Sequence, residues 1–157
     1  NVDAARIPEL LSSMPREQIV DDFAAGLRHL QAQPEVQADR IGMVGFCFGG
    51  GITWRCATRL PELRAAVPFY GPNPPLEDVP QIQCAVLALY GEKDARINAG
   101  IDDITAAMVS NGKILSKIVY PGADHAFFND TGQRYNAEAA ADAWKRLLAW
   151  FDHYLQL

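Results

Sequence analysis

Apolar residues recur along the chain at two spacings, one typical of β-strands and one typical of helices. Four short apolar runs have the length of strands: residues 40–46, 64–70, 83–90 and 114–120. Four longer stretches place apolar residues at helical spacing: residues 16–33, 49–60, 97–111 and 137–155. The first short run is apolar nearly throughout, which predicts a strand covered on both faces, as in a parallel sheet with helices on either side.

Residues at the ends of these segments predict where the elements begin and end. Residues 1–15 are mixed in character, so we expect a loop or linker there, and Ser12 or Ser13 as the cap of the helix that follows. Asn111-Gly112 is a stop signal for the third helix. The spacing in the last helix predicts buried side chains at Trp144, Leu147, Leu148, Phe151 and Leu155. It predicts exposed side chains at Asp142, Lys145, Arg146 and Asp152.

The order of the elements predicts the fold class. Strand, helix, strand, loop, strand, helix, strand, helix is typical of a parallel α/β sheet with right-handed connections and helices on both faces. The chain has 157 residues, of which 49% are hydrophobic, and contains no repeat and no internal linker. We therefore expect residues 1–157 to form a single α/β domain with a sizeable core.

Charge and cysteine content exclude several functional classes. The chain carries 14 Lys and Arg against 19 Asp and Glu without a basic cluster, so nucleic acid is not expected as a partner. No apolar run is long enough to span a bilayer, so no membrane association is expected. The three cysteines, Cys47, Cys56 and Cys84, are odd in number and lack CxxC spacing. That pattern argues against a disulfide framework or a zinc site and favours a reducing compartment, which we take to be the cytoplasm.

The sequence Gly45-Phe46-Cys47-Phe48-Gly49 joins the first strand to the next helix. Such a turn must be tight, and glycines two positions before and two after the central residue remove side chains that would collide. The thiol of Cys47 would then stand at the amino end of the helix, where free N–H groups favour a thiolate. A small buried cysteine in an ordinary turn is the other interpretation of the same five residues.

Three groups with complementary chemistry follow three different predicted strands: Cys47, Asp94 and His125. Because the carboxyl ends of parallel strands meet at one edge of a sheet, we expect these groups to lie close together. The histidine would take the thiol proton, the carboxylate would orient the imidazole, and the backbone N–H of Phe48 would stabilise an oxyanion. Glu92 and Asp124 are alternative carboxylates, and a loop histidine with only a local hydrogen bond is the alternative for His125.

These motifs, together with Phe69-Tyr70-Gly71, Gly91-Glu92-Lys93-Asp94 and Gly122-Ala123-Asp124-His125-Ala126-Phe127, resemble those of the dienelactone hydrolase family. The resemblance runs from about residue 16 to the end of the chain. It implies an α/β hydrolase fold, a Cys47, Asp94, His125 triad, and opening of a small ester or lactone through an acyl-cysteine without metal or cofactor. It also implies that Tyr70, Phe127 and Asn129 contact the substrate, although the residues alone leave Tyr70 equally open to simple packing.

The chain departs from that family in two places. Members that act on dienelactones hold the substrate carboxylate with an arginine shortly after the histidine, and Asn129 occupies that place here. The family sheet also begins with several strands that precede residue 16, so we expect this chain to be the carboxyl-terminal part of such a domain. The first strand should then present an open apolar edge, available to a missing amino-terminal segment or to self-association.

Two functions from other classes remain open from the sequence. A non-catalytic half-domain would act by association through the open sheet edge. A thiol redox sensor would need a resolving cysteine near Cys47.

Overall fold

A computed structural model of the chain describes residues 6–156. It contains one sheet of four parallel strands: β1 Gly42–Phe46, β2 Ala65–Phe69, β3 Ala85–Gly91 and β4 Leu115–Tyr120. The helices are α1 Ile7–Ser13, α2 Arg16–Gln31, α3 Phe48–Arg59, α4 Ala95–Asn98, α5 Ile101–Ser110 and α6 Ala137–Leu155, with a 3-10 helix at Leu76–Gln81. The predicted parallel α/β fold is confirmed.

The strands lie side by side in the order in which they occur in the sequence, β1-β2-β3-β4. The ends of β1 and β2 are level with Leu89, since Phe46 pairs with Phe69 and Phe69 pairs with Leu89, and β3 and β4 continue to the pair Gly91 and Tyr120. The loops that follow the four strands therefore leave from the same edge of the sheet and carry their side chains to neighbouring positions.

Each face of the sheet has its own apolar core. On one face, α2, α3 and α5 pack Leu27, Ile52 and Ile104 over β2 and β3. On the other face, α6 packs Ala143 and Leu147 over the same two strands. β2 and β3 are consequently buried along their whole length, and the loops at their ends are held on a rigid base.

Helix α6 has the predicted limits and buries Leu147 as predicted, but the rest of its buried face is formed by residues that the spacing did not indicate. Its buried face is formed by Ala139, Ala140, Ala143 and Leu147. Trp144 and Leu148, which the spacing placed in the core, are 50% and 48% exposed. Small alanines at the buried positions let α6 lie close to β2 and β3, while the Trp144 ring lies at the surface with its centroid 6.4 Å from that of Phe128.

The amino-terminal expectation is wrong in part, because Ile7–Ser13 is a helix and not a loop. Its first turn holds a proline and Glu9, both of which favour a helix start. Ser13 does not cap α2, since its hydroxyl donates to the carbonyl of Leu10 and the cap position is Pro15. Residues 1–5 lie outside the described residues.

Strand β1 is at the edge of the sheet and is covered less well than predicted. Val44 and Phe46 are 38% and 39% exposed on the α6 side, so the expectation of cover on both faces is wrong. Among the described strands β1 pairs only with β2, which confirms the expected open apolar edge.

The third predicted helix is divided into α4 and α5, and α5 ends as predicted at Asn111 and Gly112. Gly112 has a φ of 62°, the left-handed conformation in which a helix commonly stops. No helix in residues 6–156 combines the length and the apolar character needed to cross a membrane.

Candidate active site

Cys47 lies at a sharp turn between β1 and α3. Its φ of 55° and ψ of −116° are unfavourable for a residue with a side chain, so the surrounding packing must hold it in place. A Cβ atom at Gly45 would lie 2.2 Å from the carbonyl oxygen of Gly49, so the glycine two positions before Cys47 is required as predicted. The second required glycine is Gly50, whose Cβ would lie 2.4 Å from the Phe69 carbonyl oxygen. Gly49 has open space around it, so the expectation placed that requirement one residue too early.

The imidazole of His125 lies between Cys47 and Asp94. Its Nε2 is 3.0 Å from the Cys47 Sγ, and its Nδ1 is 2.5 Å from the Asp94 Oδ2. An ionised carboxylate can only accept, so Nδ1 carries the hydrogen and Nε2 faces the sulfur. In the sequence His125 is 78 residues from Cys47 and 31 residues from Asp94, and the strand ends bring the three side chains together.

Of the three candidate carboxylates, the imidazole ring contacts Asp94. Asp94 is buried at the start of α4, where its Oδ1 also accepts from the Ile97 N–H at 3.3 Å. Asp124 turns back and accepts from the backbone N–H of His125 at 2.6 Å. Glu92 accepts from the backbone N–H of Gly122 at 2.7 Å.

The Glu92 contact holds together the two loops that carry Asp94 and His125. Lys93 N–H donates to the Ala123 carbonyl at 2.9 Å beside it, and a Cβ at Gly91 would lie 2.7 Å from the Asp124 carbonyl oxygen. Sequence reasoning weighed Glu92 only as a rival to Asp94 and missed this positioning role. The sequence feature that could have indicated this role is the position of Glu92 two residues before Asp94, on a turn that must contact the loop carrying His125.

Tyr70 packs against the ring of His125. Its ring meets the His125 ring edge to face with 5.1 Å between centroids, and its φ of 36° follows from the turn at the end of β2. Burial, and then the negative charge of a Cys47 thiolate, raise the pKa of Tyr70 to about 12. The phenol is therefore protonated at neutral pH. Tyr70 is almost entirely buried, so packing accounts for most of its surface.

Phe127 and Asn129, which the resemblance implies as substrate contacts, have different environments in the structure. Phe127 is 0% exposed and packs against Tyr70 and Tyr120, so it supports the site from the core and presents no surface to a substrate. Asn129 is exposed, and its Oδ1 accepts from the N–H and the hydroxyl of Thr131. Its amide oxygen is thus occupied within its own loop.

Phe48 is the first residue of α3. The first hydrogen bond of this helical turn is donated by the Gly51 N–H to the Cys47 carbonyl at 3.2 Å, so the Phe48 N–H comes before the residues that donate within the helix. The N–H groups of a helix's first turn have no partner inside the helix, so they can donate to an anion beside the sulfur.

The three cysteines have different environments. Cys47 is exposed, whereas Cys56 and Cys84 are buried in the core, as predicted. Burial raises the pKa of each of these two thiols to about 12. No second exposed cysteine lies in residues 6–156 to resolve an oxidised Cys47. Within the same residues, no group of three or more His, Cys, Asp or Glu side chains is placed to hold a metal ion.

Comparison with known sequences identifies relatives over most of the chain. A sequence model of the dienelactone hydrolase family matches residues 2–155. A protein of Saccharolobus solfataricus, named as a candidate carboxymethylenebutenolidase, is 42% identical over 132 residues, covering 83% of this chain and 50% of that protein. A protein of Methylorubrum extorquens with the same name is 36% identical over 159 residues, covering 94% of this chain and 55% of that protein. The chain thus spans about half the length of these relatives.

Solved structures agree with the sequence matches. The crystal structure of a candidate dienelactone hydrolase from Klebsiella pneumoniae superposes with a TM-score of 0.88 at 34% identity, covering 98% of this chain and 69% of that one. A dienelactone hydrolase-like promiscuous phosphotriesterase from metagenomic libraries also gives a TM-score of 0.88, at 25% identity, over 97% of this chain and 69% of that one.

Proposed function

Because the chain belongs to the dienelactone hydrolase family, we propose that it contributes the nucleophile, base and acid for hydrolysis of a small carboxylic ester or lactone. The single observation that supports this most is the unbroken line of contacts from the Cys47 sulfur through both nitrogens of His125 to Asp94. In this proposal Cys47 is the nucleophile, His125 the general base and acid, and Asp94 the group that orients the imidazole.

The first half of the reaction forms an acyl-cysteine. The His125 Nε2 takes the thiol proton, and the Cys47 sulfur attacks the carbonyl carbon to give a tetrahedral oxyanion. As the carbonyl re-forms, the bond from carbon to the alcohol oxygen breaks, and the imidazolium returns its proton to that oxygen. In a lactone the released alcohol remains attached to the acyl group.

The second half releases the acid. A water molecule takes the alcohol's place, His125 removes its proton, and the oxygen attacks the thioester carbonyl. The carbon–sulfur bond then breaks, the sulfur leaves as thiolate or recovers the proton from His125, and the carboxylic acid departs. Asp94 stays ionised throughout and stabilises the imidazolium that forms in each half.

The oxyanion needs donors that are already in place. The Phe48 N–H at the start of α3 is the proposed donor, and the positive end of the helix dipole acts in the same direction. The donor belongs to the residue directly after Cys47, and the unfavourable backbone conformation of Cys47 fixes the turn that carries both residues.

Replacement of the nucleophile tests this proposal. We expect Cys47→Ala to lower kcat/KM for p-nitrophenyl acetate by about a thousandfold or more, because the covalent route is lost. Cys84→Ala is the matched control, since it removes a thiol from the core, and it should leave the rate within about twofold. Full activity in the Cys47 variant would contradict the proposed nucleophile.

Alkylation provides a second measurement that needs no substrate. At pH 8, iodoacetamide should modify Cys47 alone, because Cys56 and Cys84 are buried thiols with pKa values of about 12. Intact mass and peptide mapping would show the site. Modification of Cys56 at the same rate as Cys47 would count against an activated nucleophile.

The open edge of β1 favours association as a second candidate function. Its backbone groups on one side have no partner strand within the described residues, and Val44 and Phe46 add exposed apolar surface. A stable assembly with no esterase activity, unchanged by Cys47→Ala, would favour association as the function over catalysis.

A further inference from the structure

The turn that carries Asp94 is closed by a side chain that follows it in the chain. Asn98 is the last residue of α4, and its Nδ2 donates to the backbone carbonyls of Gly91 at 2.8 Å and of Glu92 at 3.1 Å. Its backbone N–H donates to the Asp94 carbonyl at 2.9 Å. Asn98 therefore contacts both Asp94 and the residues before it, and residues 91–98 form a loop closed by hydrogen bonds.

The amide of Asn98 has one orientation that fits these contacts. Both of its partners are carbonyl oxygens, which can only accept, so the NH₂ group must face the turn. The amide oxygen Oδ1 then lies on the other side, where it is buried and has no hydrogen-bond partner among the described residues. An unpaired buried acceptor is unfavourable. The two hydrogen bonds donated to the turn must therefore outweigh that loss.

The turn needs this support because a short helix follows it. Helix α4 has four residues, too few to be stable by its own hydrogen bonds. The Asp94 Oδ1 accepts a long hydrogen bond from the Ile97 N–H at 3.3 Å, and Oδ2 lies 2.5 Å from the His125 Nδ1. The Asp94 N–H donates at 3.1 Å to the same Gly91 carbonyl that the Asn98 amide contacts. That carbonyl joins the Asn98 amide to the backbone of Asp94.

The loop that carries His125 holds the same turn from another side. The Glu92 carboxylate accepts from the Gly122 N–H, and the Lys93 N–H donates to the Ala123 carbonyl. These contacts set the separation of the two loops, whereas the Asn98 contacts fix the conformation of the turn itself. Loss of the Glu92 carboxylate should free the histidine loop, and loss of the Asn98 amide should free the carboxylate of Asp94.

We propose that Asn98 is a positioning residue that keeps the Asp94 carboxylate in contact with the His125 imidazole. The inference rests on the proposed function, because it gives Asn98 a part in the same triad. Without the amide, the Gly91 and Glu92 carbonyls lose a donor and the turn gains freedom, so carboxylate and imidazole spend less time in contact. The imidazolium that forms in each half of the reaction is then less stabilised, which lowers kcat and leaves substrate binding nearly unchanged.

Substitution of Asn98 tests the proposal by kinetics. Asn98→Ala should lower kcat for p-nitrophenyl acetate about tenfold and change KM less than twofold. Asn98→Ser keeps a hydroxyl donor and should recover part of the loss. Asn98→Asp has the same shape but no donor when ionised, and it should lose at least as much as alanine.

Asn111→Ala is the matched control and should leave kcat within about twofold. Asn111 also ends a helix with a donated hydrogen bond, from its Nδ2 to the Ala107 carbonyl at 2.8 Å. It lies after α5, before the start of β4, and so is far from the edge of the sheet that carries the triad.

A spectroscopic measurement reports the contact without turnover. The hydrogen between the His125 Nδ1 and the Asp94 Oδ2 is in a short, charge-assisted hydrogen bond and should give a far-downfield proton resonance in the wild-type chain. Asn98→Ala should move this resonance upfield or broaden it beyond detection, and Asn111→Ala should leave it in place. Circular dichroism shows whether each variant is folded, and Asn98→Ser provides the comparison if the alanine variant is not.

The outcomes separate this inference from the proposed function. An active wild-type chain whose kcat and resonance are both unchanged by Asn98→Ala would overturn the role of Asn98 and leave the hydrolase proposal intact. Equal losses in the Asn98 and Asn111 variants would also overturn it, because the effect would then be one of general stability. A wild-type chain that hydrolyses no ester would count against the hydrolase proposal, while loss or persistence of the resonance in Asn98→Ala would still decide for or against the role of Asn98.

Discussion

At the residue scale, the site depends on three side chains whose spacing is set by their neighbours. Cys47 keeps an unfavourable φ of 55°, Asp94 is buried, and the His125 ring rests against Tyr70. The position of the ring is also controlled by a carboxylate that does not touch it, since Glu92 accepts from the backbone three residues before His125.

Glu92 offers a prediction about positioning. We expect Glu92→Ala to lower kcat about tenfold with little change in KM, because the Gly122 N–H loses its acceptor and the histidine loop loosens. Glu92→Gln keeps an oxygen that can accept and should remain close to the wild type. The prediction is contradicted if the alanine variant keeps its kcat or if both variants lose it equally.

At the element scale, the turn from β1 into α3 is closed by backbone contacts that leave no room for a Cβ. The Gly45 position faces the Gly49 carbonyl and Thr53, and the Gly50 position faces the end of β2. The strand, the helix and the next strand therefore approach one another closely, and this closeness holds the Cys47 sulfur at the rim of the sheet.

Substitution of the tight glycine should be costly for stability. We expect Gly45→Ala to lower the free energy of unfolding by about 3 kcal/mol or more, because the new methyl would overlap backbone atoms. Gly26→Ala is the matched control, since the site in α2 has open space and alanine favours a helix by about 0.5–1 kcal/mol. Urea unfolding midpoints measure both. Equal effects of the two substitutions would refute the steric explanation.

At the scale of the whole molecule, the described sheet is buried at its two central strands and has an edge strand on each side, β1 and β4. β2 and β3 are buried on both faces, whereas β1 has a free edge and exposed apolar side chains. Trp144 of α6 lies near this apolar surface, because its ring centroid is 6.4 Å from that of Phe128, which is 5.3 Å from that of Phe46.

This surface should cause the chain to associate with itself when studied alone. We expect Val44→Lys to increase the monomer fraction over a dilution series, since a charge on an edge strand opposes strand pairing. Val109→Lys is the control, because Val109 is an exposed apolar residue on α5, away from β1. Light scattering after size exclusion provides the measurement. A wild-type chain that stays monomeric, or a Val44 variant that associates equally, would disprove the expectation.

Much of the fold was predictable because strand and helix periodicities are local properties of the sequence. The limits of α6 and the stop at Gly112 are read from residues a few positions apart. The burial of Trp144 was predicted wrongly, since it depends on how α6 is rotated over the sheet. The exposure of β1 was missed for a similar reason, because cover depends on elements that pack across it and not on its own apolar run.

The sequence by itself determined the types and order of the elements, and with them the meeting of Cys47, Asp94 and His125 at one edge, because parallel strands in this order must end together. Only the tertiary structure decided that Asp94 and not Glu92 or Asp124 contacts the imidazole, and that Phe127 lies in the core. These outcomes depend on distances of a few ångströms between loops far apart in the chain, which periodicity and motif spacing do not encode.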